Sequence, residues 1–322
     1  MTIPRRRQVC LAETPYYHCI GRCVRRAFLC GEDRYSGKCF DHRKQWLVDL
    51  LKELSGVFSV DICAYAVMSN HYHLVLHVDV EQAAAWNDEE VMDRWYQLFN
   101  GHTLVDRLRN GEVHTEAEQQ TAQALIDLWR ERLGDLSWFM RCFNQTIARR
   151  ANEEDSCKGR FWEGRFKSQA LLDEAALLTC MSYVDLNPIR AGIATTPEDS
   201  EFTSIYERIQ AVMTAEQPSD ATPEGLLLFA GYERQNQPTG IPFRMMDYLE
   251  LVDWTGRAIR DDKRGAIPQQ LMPILGRLGL DPKVWAKQVN HFGRRNRTAI
   301  GSRAHLQSYS AAIGNAWVWG AG

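Results

Sequence analysis

Apolar and polar residues alternate along the first two hundred positions in blocks whose spacing distinguishes strand from helix. Tyr16 to Val24 is a short run of aromatic and β-branched residues and predicts a first strand. Asp41 then stands as a helix cap before Trp46, Leu47, Leu50, Leu51, Leu54 and Phe58, whose spacing predicts an amphipathic helix with one buried stripe. Val60 to Met68 is almost unbroken apolar sequence, as in a central strand covered on both faces. Ser69 and Asn70 interrupt it, and His71 to Val78 resumes at once, which predicts a tight hairpin. Asp135 can cap a helix carrying Leu136, Phe139, Met140, Phe143 and Ile147 on one stripe. Arg160 to Leu172 reads as a further strand, basic and aromatic. Asp173 caps a last helix that turns Leu177, Met181 and Val184 inward and ends near Asn187-Pro188, because proline restricts the residue before it.

The resulting order is strand, helix, strand, strand, helix, strand, helix. It predicts an α+β fold: a ferredoxin-like antiparallel sheet with helices on one face, followed by an extra helix. Between the hairpin and Asp135, the stretch from about Val80 to Gly134 has helical patches such as Ala122 to Leu133 and predicts an inserted helical arm. Beyond Pro197 the periodicity weakens. Residues 217–225 and 236–240 have loop composition, and a helical unit is expected from about Asp247 to Ala312. The expected division is a domain over residues 1–195, with its insertion at about 80–134, and a mainly helical C-terminal region over 196–322 that could bind DNA.

Composition limits the possibilities. With 322 residues, 45% hydrophobic, the chain can bury a large core, which excludes a disordered or collagen-like protein. No apolar run reaches eighteen residues without a charge, and Met1 to Leu11 is Arg-rich without an apolar signal core. The expectation is a protein of the cytoplasm, associated with the nucleoid and with no membrane partner. Nine cysteines without a Cys-x-x-Cys pair point to thiols rather than to a disulfide framework or structural zinc.

Charge is segregated behind a net value of -3. Residues 1–30 hold six Arg against Glu13 alone, and residues 283–322 hold six Lys and Arg against no acid, whereas residues 79–135 hold thirteen acids and five bases. Basic ends around an acidic middle suit a polyanion bound on particular surfaces, although solvated faces produce the same pattern.

Two features carry candidate chemistry. His71 and His73, two apart on a strand, project to one side and can place two imidazoles on one metal ion. Tyr72, Leu74, Leu76 and Val78 occupy the other side; if these pack under the helices, the histidines face the open side of the sheet. His77 shares their side, as a structural residue or a third ligand. Tyr183 lies four residues before Asn187, so phenol and carboxamide share one helix face. His-x-His alone and a helical tyrosine alone are both common in ordinary packing.

Together, SNHYHLVLHV, RFWEGRFKSQ and YVDLNPIRAG occur in an order that resembles the REP-associated tyrosine transposases, a branch of the single-tyrosine HUH transposase and endonuclease superfamily. The resemblance covers roughly Thr14 to Gly192, interrupted by the acidic insertion. It implies a ferredoxin-like catalytic domain, a divalent metal, and cleavage of single-stranded DNA. By position, His71 and His73 match the family's metal-binding histidines, Tyr183 its nucleophile, and Asn187 the polar residue one helical turn beyond, a further metal ligand. The implied cofactor is Mg2+ or Mn2+: imidazole favours the latter, phosphate oxygens and abundance the former. The implied partner is single-stranded or hairpin DNA, bound by a monomer or a homodimer.

Arg160, Arg165 and Lys167, interleaved with Phe161, Trp162 and Phe166, have the composition of a groove that follows a phosphate backbone and stacks bases. Glu163 is a candidate acid or base beside it. Arg5, Arg6 and Arg7 could reach phosphate, and Arg294, Arg295 and Arg297 form a basic tail suited to hairpin contact. The function expected from these residues is cleavage and rejoining of DNA at repetitive palindromic hairpins through a covalent 5'-phosphotyrosine. The alternatives are a non-catalytic nucleic-acid-binding regulator and a small-molecule metallohydrolase, the latter without an evident acidic third ligand.

Overall fold

The computed structural model describes residues 8–24, 29–32, 37–215, 223–231, 240–259, 289, 292, 298–315 and 318. In chain order the elements are β1 (Tyr16–Arg22), α1 (His42–Val57), β2 (Val60–Val67), β3 (His71–Val78), α2 (Val80–Ala85), α3 (Asp88–Leu98), α4 (Thr103–Arg109), α5 (Glu116–Leu133) and α6 (Leu136–Glu154). They continue with β4 (Lys167–Leu171), α7 (Glu174–Asp185), α8 (Asn187–Arg190), α9 (Ser204–Thr214), α10 (Met245–Ile259), β5 (Ala299–Ile300) and α11 (Arg303–Ala312). The sheet runs β2-β3-β1-β4-β5, antiparallel throughout its first four strands, with β5 added parallel to β4. The protein is therefore an α+β protein, and its first four strands have the expected ferredoxin-like order.

One face is built from alternate residues: Tyr17 and Cys19 of β1, Tyr72, Leu74, Leu76 and Val78 of β3, and Val60, Ile62, Tyr65 and Val67 of β2. The change from even to odd numbers in β2 follows a register shift between Ile62 and Ala64. The extra residue of this bulge restores the apolar side chains to the correct face. Against it lie Leu47, Leu51 and Leu54 of α1 and Phe139, Met140 and Phe143 of α6. Burying each such side chain contributes about 1.5–3 kcal/mol, which makes these stripes the main attachment of both helices. Asp41 does occupy the cap position of α1, but its carboxylate accepts no helix amide and instead pairs with Lys44 Nζ at 2.7 Å.

α1 and α6 share one face as expected, and the extra helix α7 covers the opposite one, so the histidine side of the sheet is not open. Cys63, Ala64 and Ala66 of β2, Val75 of β3 and Leu171 of β4 form a second core with Leu177, Cys180, Met181 and Val184 of α7. The small side chains on β2 let α7 approach closely. Ile205 of α9 and Tyr248, Leu251 and Val252 of α10 extend this core, so residues beyond 196 pack directly on the helix that carries Tyr183.

The insertion is not a projecting arm. Helices α2 to α5 bury Trp86, Val91, Trp95, Val105, Ile126 and Trp129 in the same core as α1 and α6, with the Trp95 and Trp129 rings stacked 5.2 Å apart. Asn87 and Thr115 form capping boxes with Glu90 and Glu118, which satisfy amides at the starts of α3 and α5. The basic aromatic strand is shorter than expected. Lys167 to Leu171 form the strand; upstream of it Trp162 makes a single bridge with Cys23 while its Nε1–H donates to the Asn144 carbonyl of α6 at 2.8 Å.

Candidate active site

The site is assembled from β1, β3 and the end of α7. On β3 the histidine parity is as expected: His71 and His73 share the face that receives α7, and their rings lie 4.9 Å apart. Tyr183, on the last turn of α7, brings its ring to 5.5 Å from that of His73, edge to face. Residues 110 positions apart thus meet because α7 crosses the sheet on this side. α7 ends at Asp185 and α8 begins at Asn187, with Pro188 in its first turn. The Asn187 amide nevertheless reaches back and donates to the Tyr183 carbonyl oxygen at 3.3 Å, so the expected neighbourhood survives the break.

Each imidazole has an identifiable hydrogen-bond partner. His71 Nδ1 lies 2.7 Å from the Asn70 Oδ1 of the hairpin turn. An oxygen acceptor there keeps the proton on Nδ1 and leaves Nε2 as a lone pair. His73 is only 4% exposed; its Nδ1 meets His18 Nε2 at 2.9 Å, and its buried Nε2 has no hydrogen-bond partner among the described residues. His18, on β1, stands in none of the motifs that carry the resemblance. The signal that could have found it is parity: β1 is the central neighbour of β3, and His18 lies on the same side as His73.

Burial determines the electrostatics. It lowers His18 to about 4, and it lowers His71 to about 4 with help from the Arg22 charge opposite it in the β1–β3 pairing. It also holds His73 well below the ordinary range, with His18, His71 and Arg190 adding to the effect. Tyr183, 7% exposed, is raised by burial; Arg190 and the Asn187 carboxamide pull it down. The Arg190 guanidinium lies 4.8 Å from the centre of the Tyr183 ring and donates to the Val289 carbonyl oxygen at 2.7 Å. Phe292 covers the phenol, its ring 4.9 Å from that of Tyr183 and 5.7 Å from that of His18.

The residues present fit a divalent cation. A buried imidazole nitrogen without a partner is a costly arrangement unless something binds it, and the Asn70 bond directs the second imidazole to the same Nε2-bare form. With Asn187 as an oxygen donor, the set would combine two nitrogens and one carboxamide. Among the described residues no group of three His, Cys, Asp or Glu could hold a metal. His77 stands about 13 Å from His73 along the strand, a separation of four residues. There it pairs with Asp61 Oδ2 at 2.9 Å and packs on Tyr16, which is the structural role.

The proposed nucleic-acid residues are dispersed. Phe161 is buried, and Trp162 packs edge-on against Tyr72 on the α6 side of the sheet, away from the histidines. Phe161 belongs to the core and the half-buried Trp162 packs against it, so neither ring lies beside the histidines. Arg160, Arg165 and Lys167 are exposed, and Lys167 pairs with Ile20, which also faces His73 in the sheet register. Glu163 is exposed and its backbone N–H bonds the Arg22 carbonyl at 2.8 Å. Arg5, Arg6, Arg7, Arg294, Arg295 and Arg297 lie outside the described residues.

Among the described residues, no helix is long and apolar enough to cross a membrane. Comparison with known proteins finds no matching family model and no matching curated relative. A search of solved structures finds one of a REP-associated tyrosine transposase bound to a REP hairpin. It is 13% identical to this chain, covers 70% of it and 97% of its own length, and has a TM-score of 0.38. At that level of similarity no residue role is carried from one protein to the other.

Proposed function

We propose that the protein is a metal-dependent single-stranded DNA transposase that cleaves and rejoins DNA beside repetitive hairpins, with Tyr183 as nucleophile. The observation that carries this reading is the meeting of Tyr183 with His73, ring to ring at 5.5 Å, on a covered sheet face. The motif resemblance supports it, since the same residues are the ones it assigns to the chemistry. His71 and His73, with Asn187, would hold Mg2+ or Mn2+. When bound, the cation supplies charge neutralisation at the phosphate oxygens.

The rest is the work of this chain. The Tyr183 oxygen attacks phosphorus and the bond to the 3' oxygen breaks: the upstream piece leaves with a 3'-hydroxyl that takes up the proton the phenol gives up, and the downstream piece stays on tyrosine through its 5' phosphate. Attack by another 3'-hydroxyl reverses these bond changes and returns the phenol. Arg190 favours the phenolate that burial disfavours, and Asn187 positions the tyrosine through its carbonyl. Arg22 and Lys167 give the strand ends of the site a positive charge suited to a phosphate backbone.

The test is formation of a denaturation-resistant adduct between protein and a single strand flanking a hairpin, with Mn2+ present. Tyr183→Phe should reduce the adduct to background while DNA affinity stays within about twofold, since it removes one hydroxyl and little packing. Adduct formation at the parent level would place the nucleophile elsewhere. DNA binding without any adduct from the parent protein would favour the regulator instead.

A further inference from the structure

His18 is the one buried imidazole of the site to which the motif pattern gives no role. Its Nε2 lies 2.9 Å from His73 Nδ1, its Nδ1 lies 3.4 Å from Gln169 Oε1, and its ring stacks on that of His73 at 5.2 Å. The register explains why: His18 faces Gln169 directly across the β1–β4 pairing, and β1 runs beside β3 on its other edge. The three side chains therefore form a row across three strands, ending at His73.

A row of neutral imidazoles has a direction. Each ring has one nitrogen that donates and one that accepts, so fixing one end fixes every proton along the row. With the Gln169 oxygen facing His18 Nδ1, that nitrogen carries the proton and His18 Nε2 accepts. His73 must then donate from Nδ1, which leaves its Nε2 as a lone pair. Turning the Gln169 amide around would reverse the row and put an N–H on His73 Nε2. Either form leaves that atom buried without a partner, so the direction of the row is set at the Gln169 end, and only the forward direction leaves a lone pair that a cation can take.

We propose that His18, oriented by Gln169, is a positioning residue that locks His73 in the tautomer whose Nε2 is free to ligate a divalent cation. The proposal rests on the reading of His71 and His73 as a cation site. It makes the preparation of the ligand a property of the metal-free fold. His71 receives the same preparation from Asn70, and the two imidazoles present the same nitrogen by different means.

The experiment uses the full chain with 15N-labelled histidine, free of metal, at neutral pH. Two-bond 1H–15N NMR distinguishes protonated from bare ring nitrogens, and His73→Gln identifies the His73 signals by their loss. The expected result is a protonated Nδ1 and a bare Nε2 at His73; a protonated Nε2 overturns the proposal. Mn2+ titration then reads the consequence. His18→Leu should weaken binding by about 10–100-fold, while His18→Gln, whose carbonyl oxygen can accept from His73 Nδ1–H, should recover most of it. Unchanged Mn2+ affinity in folded His18→Leu overturns the proposal. If that variant does not fold, His18→Gln decides: near-parent affinity with the His73 tautomer retained supports the relay, and a protonated Nε2 rejects it. A parent protein that binds no Mn2+ but shows the expected tautomer sinks the cation reading and leaves the relay standing.

Discussion

Three imidazoles held neutral in one small volume make this fold sensitive to acid. His18 and His71 are lowered to about 4 and His73 lies well below its ordinary value, in each case chiefly through burial. In the unfolded chain all three take up protons near 6.5. As pH falls below 6.5 the unfolded state therefore gains protons that the folded state refuses, and stability present above 6.5 is lost towards pH 4. Each proton contributes about 1.4 kcal/mol per pH unit to that slope. Urea titrations of the metal-free protein at pH 7 and pH 5 should show a lower midpoint at pH 5, and His18→Leu should reduce the difference. Equal midpoints would mean that the imidazoles are already protonated in the folded state. At this scale the sequence was partly legible. His71, His73, Tyr183 and Asn187 stand in motifs that can be read along the chain, whereas the roles of His18 and Gln169 depend on cross-strand partners 55 and 151 positions away.

α7 is held in place by a buried polar junction that no periodicity announces. Asp185 accepts from Ser204 Oγ, from the Ile205 amide at 3.0 Å and from Tyr248 Oη at 2.5 Å. Arg208, also buried, lies 3.9 Å from Asp185 Oδ2 and donates to the Cys63 carbonyl at 2.6 Å. Two residues after Tyr183, α7 is therefore tied to α9, α10 and β2 at once. Burial raises the Asp185 pKa, and Arg208 with the three hydrogen bonds opposes it. Asp185→Ala would leave the guanidinium buried without its counter-charge and should cost about 3–5 kcal/mol, read from urea unfolding. A loss below about 1 kcal/mol would show that water already compensates Arg208. On the other face Gly21 has a comparable role, because a Cβ there would lie 2.4 Å from the Tyr72 ring. Gly21→Ala should destabilise by about 1–3 kcal/mol through overpacking; a neutral effect would mean the ring can shift aside. Helix stripes and the hairpin were legible because each is periodic over its own length. The β2 bulge, β5 and α9 were not: the bulge is a single extra residue, β5 has two, and α9 buries an arginine where a pattern reader expects a leucine.

For the whole molecule, the strand order could be derived from the order of elements, since a ferredoxin-like sheet is the short, right-handed way to connect them. The second helical layer was announced only by the unbroken apolar run of β2, which implies cover on both faces without saying which helix supplies it. The insertion, for its part, reads as acidic in sequence and as core in structure because its tryptophans face inward and its carboxylates outward. That arrangement keeps most of the insertion's acids on α2 to α5, whose apolar residues join the α1 and α6 side of the sheet rather than the histidine side. A charge distribution of this kind exerts a torque on the molecule in the field of a polyanion, turning the carboxylate side away before contact and leaving the histidine side to arrive first. The insertion would then act on the efficiency of encounters rather than on the site. Replacing the exposed Glu81, Glu112 and Glu131 by Gln should leave stability within about 0.5 kcal/mol. Association with single-stranded DNA at low salt should become faster, while a smaller fraction of encounters should mature into the covalent adduct. Stopped-flow binding paired with single-turnover adduct formation measures both quantities, and a constant ratio between them would remove orientation from the kinetics of this protein.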